Sequence, residues 1–481
     1  MFVDRRQELA FLNSLLNRKH PGPAQLVLLY GRRRVGKTEL LLHWARNSGM
    51  DFTYWVAVRE SPTSQRNRLF ARLLDVPEES APAHRSWPAL WEAAAGALKN
   101  RKHILILDEL PYAAEADSAM LSALQHAWDQ HFQHSNLIII LSGSHVRVME
   151  TLLSRQSPLY GRMTAQWHLS PLPFSSLQEF FPKWNAEERV AAYAIVGGIP
   201  AYLNWLDPDQ SLVENIRNVI LSPGGMFLAE PSFLLYDEVR ELKNYMAVLK
   251  AIGAGHHALN EIGQHAFLPG NAVNAYLSTL QELRLVERRL PVTIRPGERG
   301  KSRSGRYHLS DAYFRFYFHF LAPFQDNPLL NAGQILARVQ QDLRAFVGAT
   351  AFEELCRQWV IAQGRDGNLA FTPTAVGSHW SKRVQADVAA INWESKDLLV
   401  GECKWGADKI DRQVARDLIE EKTRKMLLDL PDMGEGWRVH YALFGRQGFT
   451  DSAKTEMRRV GGLCVDVKQI DAALKKVESG G

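Results

Sequence analysis

The run Gln25 to Thr38, Gln-Leu-Val-Leu-Leu-Tyr-Gly31-Arg32-Arg33-Arg34-Val35-Gly36-Lys37-Thr38, constrains this chain more than any other stretch. It has the spacing of a phosphate-binding loop: Gly, four residues, then Gly-Lys-Ser/Thr. An apolar strand-like run precedes it and a helix-period run follows. Gly31 and Gly36 let the backbone turn tightly enough to aim several N–H groups at a β-phosphate. Lys37 reaches the β and γ oxygens, and Thr38 offers a hydroxyl to Mg²⁺. The following helix, with Glu39 in its first turn, adds its positive N-terminal end.

Downstream, Ile104 to Leu107 ends in Asp108-Glu109, the pattern of a parallel strand buried on both faces and capped by two acids. At that edge Asp108 is expected to hold Mg²⁺ through water, and Glu109 to orient or deprotonate an attacking water. The next apolar run, Leu137 to Leu141, ends in Ser142-Gly143-Ser144. Either Ser142 senses a γ-phosphate there, since ligands sit at the carboxyl edge of open parallel sheets, or the three residues form a turn. Tyr160-Gly161-Arg162 offers an arginine on a turn, placed either to supply transition-state charge or as an ordinary surface cation.

With 481 residues the chain exceeds what one hydrophobic core serves, and two to four domains are expected. Its three scattered cysteines, Cys356, Cys403 and Cys464, argue against a disulfide framework and for a reducing cytoplasm. Met1 to Arg6 carries charges where a secretory signal needs an apolar core, and the apolar runs are too short to span a bilayer. A net charge of +5 permits contact with nucleic acid without demanding it.

Phe2-Val3-Asp4-Arg5, Gly31 to Thr38, Leu107-Asp108-Glu109, Ser142-Gly143-Ser144, Leu159-Tyr160-Gly161-Arg162 and Gly197-Gly198-Ile199-Pro200 together resemble the archaeal-type ATPases, AAA+-like P-loop proteins also found in bacteria. The resemblance implies ATP rather than GTP, and strengthens the reading of Arg162. It departs at Asp4, where the family has Gly before the Arg.

In the middle of the chain, Tyr245 to Ile252, Leu259 to His265 and Gly270 to Leu285 read as three helices. A basic stretch with Arg295, Arg299, Lys301, Arg303 and Arg306 follows, and the whole predicts a winged helix. Either its third helix enters the major groove of double-stranded DNA while the arginines approach phosphates, or it only packs on the ATPase. The aromatic run Tyr313 to Phe324 is expected to form a core rather than a stacking platform.

Further on, Gln385 to Ile391 carries Asp387, and Leu398 to Trp405 carries Glu402, Cys403 and Lys404. Strand alternation puts Glu402 and Lys404 on one face and Cys403 on the other. Two carboxylates can share Mg²⁺ while a lysine positions water and stabilises charge on a phosphate. Asp, a gap, then Glu-x-Lys is the restriction-endonuclease-like core, with Glu353 on the preceding helix as the further acid. The alternative is an inactive relic that only binds. This block also resembles the C-terminal domain of the same ATPase family.

The expected chain is therefore an α/β multidomain protein. It comprises an AAA+-like P-loop domain (1–182), a helical lid (183–235), a winged helix (236–325) and a restriction-endonuclease-like domain (326–478), with a frayed tail at 479–481. Its expected partners are ATP, Mg²⁺ and double-stranded DNA. If Arg162 acts in trans, a homo-oligomer is required.

Overall fold

The computed structural model describes residues 2–16, 24–236, 238–325 and 331–479. The expected tail residues Gly480 and Gly481, the side chain of Phe324 and the expected domain boundary at 326 lie outside the described residues. By contact the chain divides into two compact units, one of residues 1–172 with 199–202, the other of residues 173–198 with 203–481.

The first unit is built on a parallel sheet. Its strands are β1 (Gln25–Tyr30), β2 (Asp51–Val56), β3 (Lys102–Asp108), β4 (Asn136–Gly143) and β5 (Ala165–His168), in the order β2-β3-β4-β1-β5. Every residue of β1 is buried, as are all of β3 and β4 beyond their first residue. Such unbroken apolar strands require cover on both faces. Leu28, Tyr30, Leu105 and Leu107 pack into one apolar layer and Val27, Leu29, Ile104 and Ile106 into the other, which also holds Leu40, Leu41 and Trp44 of the helix Lys37–Asn47. Inserting β4 between β1 and β3 brings the loop after β1 and the acids after β3 to one edge of the sheet.

The second unit contains the helices Leu242–Gly253, Leu259–Ala266 and Gly270–Glu282, followed by an antiparallel hairpin of β6 (Val286–Arg289) and β7 (Arg306–Leu309). The segment joining the two strands is anchored at its ends. Val292 N donates to Ser378 O at 3.0 Å, Thr293 Oγ1 and His379 Nδ1 lie 2.7 Å apart, and Trp380 Nε1 donates to Ser304 O at 3.0 Å. Only the tip, with Arg295, Lys301 and Arg303, is exposed. The sequence gives no sign of this docking, because the partner strand lies some 80 residues on.

A mixed sheet follows, of β8 (Ala375–Trp380), β9 (Gln385–Asn392), β10 (Asp397–Lys404), β11 (Arg438–Gly445) and β12 (Leu463–Asp466), ordered β12-β11-β10-β9-β8. β10, β11 and β12 run parallel, and β9 is antiparallel to both β8 and β10. Tyr313, Phe314, Phe316, Tyr317, Phe318 and Phe320 are all buried, so the aromatic run is core. Among the described residues no helix is long and apolar enough to cross a membrane, and the three cysteines are free thiols.

Candidate functional site: a phosphate-loop centre and a carboxylate–lysine cluster

The loop between β1 and the helix Lys37–Asn47 has the strained backbone that its glycines anticipate. Gly36 lies at φ 94° and Arg34 at φ 67°, both in the left-handed region. Gly31 is required for a different reason: a Cβ there would stand 2.5 Å from the Leu169 carbonyl oxygen. That carbonyl has little room to retreat, since Leu169 N is bonded to Tyr30 O at 2.7 Å. Gly31→Ala is expected to cost about 1–3 kcal/mol of stability, read as a lowered thermal midpoint, because backbone rather than a flexible side chain must move.

Lys37 is 5% exposed, and its ammonium donates to the carbonyls of Gly31 (2.9 Å) and Arg32 (3.1 Å). Burial lowers its pKa, while Glu109 and Asp108 pull the other way. A buried cation resting on backbone carbonyls is poised for an anionic ligand. Thr38 Oγ1 donates to Asp108 Oδ2 at 2.7 Å, which places the two expected metal-binding groups together across 70 residues of chain. Asp108 is almost fully buried and accepts two more hydrogen bonds, from Tyr54 Oη (3.1 Å) and Glu109 N (3.0 Å). Burial, then the Asp108 carboxylate, raises the Tyr54 pKa, so the phenol stays a donor. The hydroxyl and carboxylate oxygens of Thr38 and Asp108 are the hard donors that Mg²⁺ takes, and the residues fit that ion.

Glu109, at φ 49°, turns the chain out of β3, and its Oε2 accepts from Ser144 N (3.0 Å) and Ser144 Oγ (2.8 Å). Ser142, at the end of β4 beside Leu29, is fully buried and its Oγ has no partner among the described residues. Arg32 donates to Tyr202 Oη at 3.0 Å and Arg33 to Tyr112 Oη at 2.8 Å. Val35 is buried, and its carbonyl accepts from Arg5 at 2.8 Å. Asp4 and Arg5 both lie in the left-handed region, at φ 58° and 67°. That backbone explains why Gly suits position 4, and Asp is among the few residues that tolerate it.

Two expected residues are placed otherwise. Glu39 is exposed in the first helical turn, and its side chain makes no described hydrogen bond. Arg162 is clamped by Asp129 through two hydrogen bonds, Nε–Oδ1 at 2.8 Å and Nη2–Oδ2 at 2.6 Å. Among the described residues no hydrogen bond joins Arg162 to Lys37, Thr38, Asp108 or Glu109. Tyr54, Tyr112 and Tyr202 escaped sequence reasoning because nothing local marks them, and Ser144 stood in the Ser142-Gly143-Ser144 run without a role of its own.

In the second unit, Asp387, Glu402, Lys404 and Glu353 line one cavity. Lys404 Nζ donates to Glu402 Oε1 at 2.8 Å and Lys422 Nζ to Glu402 Oε2, so a second lysine joins the expected set. Asp387 Oδ2 accepts from Cys403 N at 3.1 Å, and Arg357 reaches both the Asp387 carbonyl (3.0 Å) and Glu353 (3.5 Å). Burial, then Asp387, pushes the Glu353 pKa up to about 8. Burial, then Glu402, raises that of Asp387. Burial opposes the charge on Lys404, but its bond to Glu402 prevails and its pKa is raised. Among the described residues no three His, Cys, Asp or Glu side chains are disposed as a metal-binding group. The expected ligands Glu353, Asp387 and Glu402 therefore share a cavity without forming a cage, and two ammonium groups lie on Glu402.

Comparison with known proteins bears on both units. Residues 2–206 match the model of an ATPase domain found predominantly in Archaea, and residues 317–418 match one of archaeal and bacterial proteins of unknown function. An uncharacterized protein of Methanocaldococcus jannaschii is 30% identical over 457 residues, covering 93% of this chain and 96% of its own. Among solved structures, the Walker-type ATPase of Pyrococcus abyssi superposes with a TM-score of 0.44 at 20% identity, over 66% of this chain and 96% of that one. The ORC2 protein of Aeropyrum pernix gives 0.43 at 15% identity, over 71% and 94%. Full-length similarity to the Methanocaldococcus protein, with the phosphate loop and its acids in place, makes this chain a member of the archaeal-type ATPase family whose N-terminal unit is an ATP-binding ATPase domain.

Proposed function

We propose that the chain is a Mg²⁺-dependent ATPase that acts on double-stranded DNA, with a nuclease-type site formed by Asp387, Glu402 and Lys404. The observation that carries the ATPase chemistry is the meeting of Lys37, Thr38 and Asp108 at one sheet edge. In this reading the amides of 31–38 and Lys37 bind the triphosphate, and Thr38 and Asp108 would hold a Mg²⁺ that supplies counter-charge to it. Glu109 takes a proton from the attacking water while Ser144 fixes its carboxylate, and the unpartnered hydroxyl of Ser142 meets the γ-phosphate. Arg162 contributes transition-state charge after leaving Asp129, either in its own subunit or to a neighbouring copy.

Residues 183–235 are read as the lid, 236–325 as a winged helix and 326–478 as the endonuclease-like domain. DNA contact is supported by the three helices with their hairpin, by exposed Asn271, Asn274 and Ser278 on the third helix, and by the basic tip. The lysine pair on Glu402 favours a second reading, in which this domain binds without cutting. Incubating plasmid, linear and single-stranded DNA with the protein in Mg²⁺ or Mn²⁺ separates the two. Cleavage that falls at least about 100-fold in Asp387→Ala supports the nuclease, by analogy with the loss of a catalytic carboxylate. No cleavage, or cleavage unchanged by the substitution, supports the binding reading.

A further inference from the structure

A second cavity in the C-terminal unit, of about 720 Å³, touches the carboxylate cluster only at Glu353. Its walls bring together Arg289 at the end of β6, Arg306 at the start of β7, and Trp380 at the end of β8. Arg315 and Arg338 enter from the helices Ala312–Phe316 and Ala332–Val347. Four guanidinium groups from four elements thus converge on one space.

Three of the four are paired with acids, and Asp342 and Glu353 stand in the wall beside them. Arg289 pairs with Glu287 and Arg315 with Glu354 at 3.3 Å, two acids that are not part of the wall. Arg338 pairs at 2.8 Å with Asp342, which is part of it. Arg315 Nε is buried with no hydrogen-bond partner among the described residues. Arg306 lies over the Trp380 ring, 5.0 Å from its centroid.

Two histidines of the wall are held uncharged, chiefly by burial. His308 stacks on His257 with centroids 4.3 Å apart, and burial, then Arg289, His257, Arg306 and Arg315, pushes its pKa down to about 2. His257 Nδ1 lies 2.8 Å from the Tyr307 carbonyl, which only accepts, so that nitrogen carries the proton. Both rings are neutral, flat surfaces inside a cationic pocket.

We propose that this cavity binds the terminal phosphate and adjoining nucleoside of a phosphorylated nucleotide, free or at the end of a nucleic-acid strand. Arginine forks match phosphate oxygens, the Trp380 and histidine faces suit a base, and the volume is that of a small-ligand site. The cavity also shares Ala345, Ala349 and Glu353 with the one that holds Asp387 and Glu402, so the two adjoin. The proposal goes beyond the nuclease reading and needs binding only.

The test uses full-length protein carrying Lys37→Ala, so that the phosphate loop does not compete, in EDTA so that nothing is cut. Short, internally labelled single strands with a 5′-phosphate, a 3′-phosphate or neither are titrated and read by fluorescence anisotropy. One phosphorylated end is expected to bind at least about tenfold tighter than the unphosphorylated strand, and the further pair Arg306→Ala and Arg338→Ala to abolish that preference with the melting temperature unchanged. Competition by AMP at concentrations near those of the strand assigns the free nucleotide; competition by phosphorylated strands alone assigns a strand end. Equal binding of all three strands together with no AMP-sensitive binding, or a phosphate preference that survives the paired substitution, overturns the proposal. Should the paired variant misfold, the ring resonances of His257 and His308 in the intact cavity are followed as AMP and phosphorylated strand are added. Shifts on saturation support the site, and their absence overturns it.

Discussion

Lys37→Ala is expected to lower ATP turnover by a factor on the order of 10²–10³, measured as steady-state phosphate release, because it removes a cation aimed at the transferring phosphoryl group in a water-poor site. The size of the effect follows from where the lysine sits. Its ammonium is buried and rests on the carbonyls of Gly31 and Arg32 rather than on a carboxylate. Burial already disfavours its charge, and a triphosphate would add counter-charge to that of Glu109 and Asp108. Turnover retained within a few fold of wild type would remove Lys37 from the site.

Glu109→Gln is expected to separate binding from hydrolysis. The substitution preserves shape but cannot take a proton, and losing a general base costs roughly 10²–10⁴ in rate. The carboxylate is oriented by Ser144 from β4's far end, through its N–H and hydroxyl, and an amide oxygen can accept the same two bonds. ATP should therefore stay bound while phosphate release stops, seen as a nucleotide–protein complex that survives gel filtration. Glu109→Gln turning over at the wild-type rate would give the base to another group.

The first unit's sheet and loop were legible because their signals are local. The glycine spacing, the apolar runs of β1, β3 and β4 and the acid pair each sit within a few residues of chain. The groups that complete the centre were not legible, since each acts from a distant strand or helix. Tyr54 reaches Asp108 from β2, Ser144 reaches Glu109 from beyond β4, and Tyr202 reaches Arg32 across 170 residues. Arg162 shows the converse limit: a turn can present an arginine, but only the fold reveals Asp129 beside it.

The same division holds in the second unit. Period-two alternation places Glu402 and Lys404 on one face of β10, and their hydrogen bond follows from it. Lys422 comes from a helical turn that no strand pattern predicts, and it turns the expected two acids and one lysine into a cluster whose Glu402 carboxylate is held between two cations. The hairpin's basic tip is exposed, as its glycines and charges suggest. Its base is pinned through Val292 and Thr293 to a strand far along the chain.

The central claim is that the loop from Gly31 to Thr38 holds a nucleotide triphosphate with the help of Thr38, Asp108 and a divalent ion. Calorimetric titration of ATP into the purified chain, with Mg²⁺ and with EDTA, tests it most directly. The account predicts a single site that is tighter with Mg²⁺ and is lost in Lys37→Ala. Absence of ATP binding in the presence of Mg²⁺, or binding that Lys37→Ala leaves intact, would contradict it.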